Sequence, residues 1–267
     1  MIGYVKYKKE NTLIHKIKNV VVALIVPISV LVFWEWIVKA GFVKATLLPP
    51  PTRLWENFIS LVSSGDLQNG LIISFGRVIT GFMIGSLAAV ILGFLMGLFS
   101  TMNQALSIIV NVLRPIPTIA LIPIFIIIFG IGEKSNIAVI IVGAFWSVLL
   151  NTISGIQSVD AKLLELAYVY RINSARTVFR IILPSAVMSI LTGLRLGLGA
   201  AWMSVVAAEM IGASSGIGYM IMFSRELAQT ANMYVEVLII GFVGLAIDRI
   251  LLVIQNKLNK KFKGIAD

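Results

Sequence analysis

Apolar residues run almost unbroken along this chain, and the polar positions that interrupt them divide it into segments of membrane-crossing length. Runs long enough to cross about 30 Å of hydrocarbon begin near Asn19, Leu71, Leu106, Asn136, Pro184 and Met233. They predict six spanning helices, at about 19–38, 71–99, 106–130, 136–156, 184–212 and 233–255. The largest interruption is DAKLLELAYVYRINSARTVFRIILP, Asp160 to Pro184, a polar and charged island. Within it Leu163, Leu164, Ala167 and Tyr170 recur at helical spacing and predict a short amphipathic helix over Asp160–Tyr170. Asn173 or Ser174 then caps a second helix, which runs until Pro184 removes a backbone donor and begins the next span. The island reads as a helix-turn-helix outside the bilayer, where another molecule docks.

Two shorter segments carry their own pattern. Between the first two spans, Pro49-Pro50-Pro51 precedes Leu54, Trp55, Phe58, Leu61 and Val62 on one helical face. An interfacial helix with Trp55 at headgroup level fits this pattern, and so does a helix packed on the spans. The first apolar run follows a basic segment, as in a signal peptide. Val20–Ile37 is longer than a usual signal core and no small-x-small site follows closely, so it reads as a retained helix.

Composition sharpens the class. Hydrophobic residues make up 58% and charged residues 13%, with a mean hydropathy of +0.98, where soluble domains sit near 45–50% and about 25%. The chain is an all-α polytopic membrane protein without room for a soluble catalytic domain, and no enzymatic activity is expected of it. Cysteine is absent and His15 is the single histidine, which excludes disulfides, thiolate chemistry and His- or Cys-based metal sites. No cofactor is expected. A net charge of +10 would suggest nucleic acid in a soluble chain. Here the lysines cluster at the two ends, where a positive-inside bias and anionic lipid account for them. Lys6, Lys8, Lys9, Lys16 and Lys18, the island's Lys162, Arg171, Arg176 and Arg180, and Lys257, Lys260, Lys261 and Lys263 all fall on one face. Only Lys39, Lys44, Arg53, Lys134 and Arg225 fall on the other, which places both termini and the island in the cytoplasm.

Ionisable groups inside the spans are the candidate chemistry. Arg77 lies about 9 Å below the outer end of its span and Glu209 a few Å below its own, so the two are placed to pair. Arg114, Arg195 and Asp248 lie roughly 10–16 Å from the inner ends of theirs and form a second candidate cluster. Either group lines a translocation path or fixes helix order. Arg77, Arg114, Arg195 and Arg249, set against Glu209 and Asp248, lean toward an anionic solute. Gly81-x-x-x-Gly85, Gly93-x-x-x-Gly97 and Gly193-x-x-x-Gly197 offer flat faces to an unidentified neighbouring helix. Arg114-Pro115-Ile116-Pro117 with Pro123 predicts a kink in the third span, either gating or static. Gly130-Ile131-Gly132-Glu133-Lys134-Ser135 fails the phosphate-loop spacing, so any uphill transport draws its energy from a partner.

The island also carries a resemblance. Glu165, Ala167, Ile181, Leu183 and Pro184 fall where the EAA loop of ABC-importer permeases has its Glu, second Ala, Ile, Leu and Pro. LLPPPTRLW from Leu47, RPIPTIALIPIFIIIFGIGEKS from Arg114, ILTGLRLGLGAAWMSVVAAEMIGASSGIGYMI from Ile190 and the Lys-rich tail are similar to the nitrate/sulfonate/taurine permeases. Leu166 replaces the pattern's first Ala, and Arg171 stands where the pattern has Gly at a turn. Either Asn173 carries that turn or its shape differs.

The resemblance implies a type I importer permease fold, a homodimer in the cell membrane, two ABC ATPase subunits beneath it and an extracytoplasmic substrate-binding protein. It makes Glu165 a polar anchor for the ATPase, Ala167 a small contact allowing close approach, and Leu183 with Pro184 the joint to the fifth span. The expected division is a tail to residue 18, a first helix and outer segment over 19–66, a core over 67–255 with its coupling loop at 157–183, and a tail over 256–267. The solute stays open among sulfonates, nitrate, taurine and vitamin precursors. A secondary transporter or channel, or a scaffold that recruits a soluble partner, remains the competing reading.

Overall fold

The computed structural model describes residues 12–263, and every regular element among them is helical. The predicted basic positions Lys6, Lys8 and Lys9 lie outside the described residues, as do residues 264–267. In chain order the helices are α1 (Thr12–Lys39), α2 (Pro51–Ser64), α3 (Asp66–Leu98), α4 (Ser100–Leu113), α5 (Ile122–Phe129), α6 (Glu133–Gln157), α7 (Ala161–Val169), α8 (Ser174–Thr177), α9 (Leu183–Gly212), α10 (Ile217–Glu226) and α11 (Thr230–Lys263). Four unbroken helical stretches are long and apolar enough to cross a membrane: 66–98, 133–157, 174–212 and 230–259. The bent pair α4–α5 makes a fifth crossing if it is one span, and α1 covers the first predicted run.

Helix α6 is the hub. Lipid tails are as apolar as leucine, so helices in a bilayer associate through close packing and polar contacts rather than hydrophobic burial. The sequence answers with a small residue at every fourth position of α3: Gly81, Gly85, Ala89, Gly93 and Gly97. This ridge lies on α6, with Gly81 against Ile140, Gly85 against Ile141, Gly93 against Thr152 and Gly97 against Ile156. A Cβ at Gly85 would sit 2.6 Å from the Ile141 carbonyl oxygen, a backbone atom with nowhere to go. On the adjoining face of α6, Gly193 and Gly197 of α9 rest on Ser147, Val148 and Ala144. The partner of all three glycine pairs is therefore the same helix, and α3 and α6 run parallel while α9 runs against them. Helix α11 joins through Trp202, whose indole N–H donates to the Ile240 carbonyl at 3.1 Å.

Two sequence expectations change and one open alternative is decided. The third span is not one kinked helix over 106–130: α4 and α5 meet at 87°. Pro115 and Pro117 remove two donors from a single turn, so the ladder breaks outright and resumes only through a 3₁₀ turn at Thr118–Leu121. Pro184, in contrast, starts nothing. The helix begun at Ser174 passes through it to Gly212, because Val178–Ile182 widens into a π-turn in which the Leu183 N–H reaches the Val178 carbonyl. The Ser185 hydroxyl, at 2.7 Å, takes up the Ile181 carbonyl. Finally, the amphipathic helix α2 packs on the bundle: Leu54 and Leu61 are buried in a cluster with Ile217, Ala231 and Val235. Trp55 remains exposed and stacks on Phe58, their ring centres 5.5 Å apart.

Candidate functional sites: an ion cluster, a polar tie and a projecting helix pair

The buried ion cluster sits where α3, α6, α9 and the 213–217 loop converge. Arg77, one turn before Gly81 on the same face of α3, is 5% exposed and Glu209 is 1% exposed. The structure brings them together, with Arg77 Nη1 2.8 Å from Glu209 Oε1. Arg77 Nε also donates to Glu133 Oε2 at 2.9 Å, and Nη2 bonds Glu133 as well. Nη1 reaches the Ser215 carbonyl at 2.7 Å and Nη2 the Ser215 hydroxyl at 3.1 Å. Glu209 accepts in addition from the Ser74 hydroxyl at 2.8 Å and from the Gly218 N–H at 2.9 Å. That last bond sets a carboxylate on the N-terminus of α10, where the helix dipole favours negative charge. A side chain at Gly218 would close the gap, since its Cβ would lie 2.5 Å from the Val206 carbonyl oxygen. Every hydrogen-bonding group of this cluster is used, so the arginine is committed to two carboxylates of its own chain.

Glu133 was not among the groups placed inside the spans, because it precedes the fourth apolar run by three residues. As the first residue of α6 it reaches back along α3, and its adjacency to Lys134 in sequence hid the role. Glu35 and Glu236 also lie within the predicted runs 19–38 and 233–255, so the excess of span arginines over acids does not hold. Glu236 is 1% exposed and takes a hydrogen bond from the Ser224 hydroxyl at 2.9 Å.

The second predicted cluster forms only in part. Arg195 Nε lies 3.2 Å from Asp248 Oδ1, an ion pair without hydrogen-bond alignment. Arg195 Nη1 donates to Gln255 at 3.3 Å, and Gln255 Nε2 donates to the Thr192 hydroxyl at 2.7 Å, tying α9 to α11. Arg114 does not join. It caps α4 at the break, exposed, and no ion pair links it to Asp248 among the described residues. The two prolines that break the span swing Arg114 away.

At the other end of the bundle the island projects as α7 and α8. Asp160 caps α7 by accepting from the Lys162 N–H at 2.9 Å, and Asn173 caps α8 by accepting from the Ala175 N–H at 2.9 Å. Arg171 itself, not Asn173, carries the turn: its φ is 52°, in the left-handed region. The Arg171 N–H meets the Tyr168 carbonyl at 3.0 Å and the Ile172 N–H the Ala167 carbonyl at 2.9 Å, the paired bonds of a Schellman cap. Ala167 is 3% exposed, so its close packing is internal to the chain and it offers no surface to a partner. Glu165 is exposed. Around it Leu166, Tyr168, Val169, Tyr170 and Phe179 are all more than half exposed, an apolar group on a segment otherwise rich in charge. Ile181 and Leu183 are half-buried on the π-turn side, and Pro184 is exposed.

An all-helical bundle of membrane-crossing length, pinned by ion pairs at one end and projecting a capped helix pair at the other, defines a polytopic membrane protein. Residues 81–264 match the family described as binding-protein-dependent transport system inner membrane component. The chain is 38% identical over 237 residues to the aliphatic sulfonates transport permease protein SsuC of Bacillus subtilis, covering 89% of this chain and 86% of that one. It is 30% identical over 231 residues to the bicarbonate transport system permease protein CmpB of Synechocystis, covering 82% and 81%. Its fold matches a solved amino acid ABC transporter with a TM-score of 0.62 at 17% identity, over 77% of this chain and 96% of that one. The chain belongs to the ABC importer permeases of the binding-protein-dependent type, in the nitrate/sulfonate/taurine group.

Proposed function

We propose that this permease forms the membrane path for a small anionic solute and takes its energy from ATPase subunits docked on the α7–α8 island. The observation that carries the reading is mechanical. The second half of the island is not hinged to the bundle, because α8, the π-turn and α9 form one helix from Ser174 to Gly212. A push on exposed Glu165 and its apolar surround passes through the capped turn into that helix without a break. Its far end carries Glu209, bound to α3 through Arg77. Such a rod suits a rigid-body switch between two openings of the bundle.

The rest follows from that reading. Both termini and the island face the cytoplasm, consistent with the distribution of lysine and arginine. A second copy completes the path, and a binding protein delivers solute at the Glu133 end. The core over 67–255, with its coupling loop at 157–183, is the working unit. The anionic class rests on relatives named for sulfonates and bicarbonate rather than on charge count, since Arg77 is fully engaged and Arg195 faces Asp248.

The test is ATP hydrolysis by the permease in lipid with its candidate ATPase, with and without the candidate binding protein. Hydrolysis stimulated by the binding protein and lost in Glu165→Ala supports docking at the island. Absence of any association with the ATPase, in either form, removes the reading.

A further inference from the structure

A cavity of about 360 Å³ lies between α2, α3, α10 and α11, on the Glu133 side of the bundle. Its polar lining includes Asp66, Asn69, Ser215, Ser224, Asn232 and Glu236. The only charged residues among those that line it are Asp66 and Glu236, and both are acids. Glu236 is 1% exposed, with one carboxylate oxygen held by the Ser224 hydroxyl at 2.9 Å and the other, Oε2, without a partner. A buried carboxylate that is neither paired nor fully hydrogen-bonded is costly. The same chain satisfies Glu209, equally buried, with an arginine, a serine and a backbone N–H. At Glu236 it supplies one neutral hydroxyl and an adjoining space.

We propose that this cavity is a binding site for a small monovalent cation, with Glu236 as its anionic ligand. The lining chemistry selects the class. Carboxylate, hydroxyl and amide oxygens are hard donors, suited to a sodium ion or to the N–H groups of a small ammonium and not to a soft metal. A divalent ion calls for several carboxylates converging, and no group of three or more His, Cys, Asp or Glu that could hold a metal occurs among the described residues. One buried negative charge matches one positive charge. Asn232 is already oriented, accepting from Asn57 at 2.5 Å and donating to Gln229 at 2.9 Å, so the wall is built before the ligand arrives. Ser215 lines the same cavity while its carbonyl holds Arg77.

Thermal unfolding of the full chain in lipid nanodiscs tests this without reference to transport. Sodium chloride, methylammonium chloride and N-methyl-D-glucamine chloride are compared at equal ionic strength. Sodium, methylammonium or both are expected to raise the midpoint saturably, by about 3 °C over the bulky cation. A response to sodium alone assigns a metal ion, and a response to methylammonium assigns an amine. Glu236→Gln should abolish the response and match or exceed the wild-type midpoint in the bulky cation. A midpoint indifferent to cation, or an equal response in Glu236→Gln, overturns the proposal. If that variant does not fold, Ser224→Ala replaces it. That change frees the remaining carboxylate oxygen and must move the sodium half-saturation at least threefold, and an unmoved value overturns the site.

Discussion

Arg171 holds a backbone conformation that costs a side-chain-bearing residue about 1–2 kcal/mol, and it does so in the one turn that joins α7 to α8. The strain is tolerated because the turn closes two hydrogen bonds and buries Ala167. Arg171→Gly should relieve it, stabilising the closed turn by about 1 kcal/mol. Hydrogen exchange at the Ile172 amide, bonded to the Ala167 carbonyl, is then expected to slow about fivefold. Unchanged exchange would mean that the strain is absorbed elsewhere. Sequence located this turn through the missing Gly, yet offered only Asn173 or a differently shaped turn, and not Arg171 itself in the left-handed region. Asn tolerates the left-handed region more readily, but its side chain is needed as the α8 cap, and a residue at that position has extended backbone. Capping chemistry overrode conformational preference.

At the scale of elements, apolar runs were legible because each span is long, while their joints were not. Whether a proline breaks, bends or merely decorates a helix depends on whether a neighbouring turn takes up the freed carbonyls. Pro115 and Pro117 overwhelm one turn, whereas Pro184 is absorbed by Val178–Ile182 and Ser185. The glycine pairs were visible as flat faces, but their partner required the register of all three helices. That register makes a sharp contrast between two glycines of α3. Gly85→Ala should destabilise by about 1–3 kcal/mol through overpacking on the Ile141 backbone. Gly76→Ala, where an added Cβ meets nothing within 4 Å, should stabilise by about 0.5–1 kcal/mol through helix propensity. Thermal unfolding of the two variants in lipid checks both signs. Equal effects would contradict the α3–α6 register.

For the whole molecule, the ion cluster decides how firmly α3, α6 and α9 hold together at one end. Glu209→Ala leaves Arg77 buried against a lost partner and frees the N-terminus of α10, so it should cost about 3–5 kcal/mol. Glu133 is far more exposed, at 61% of its side chain, and Glu133→Ala should cost about 1 kcal/mol or less. Detergent-stability assays that rank the two variants in the reverse order would show that the outer contact, not the buried one, holds the corner. The Arg77–Glu209 contact was readable from depth along two spans. Ser215 and Gly218 were not, because a loop's path back into the bundle leaves no periodic trace.

The unbroken helix from Ser174 to Gly212 has 39 residues, about 58 Å at 1.5 Å per residue. Because each residue turns the helix by about 100°, its two ends share a fixed phase. An insertion of one residue between Pro184 and Glu209 would leave every local contact type available, yet rotate the Arg77 partner a quarter-turn or more relative to the island. The number of residues in this segment is therefore as much a part of the ion cluster as the side chains that form it.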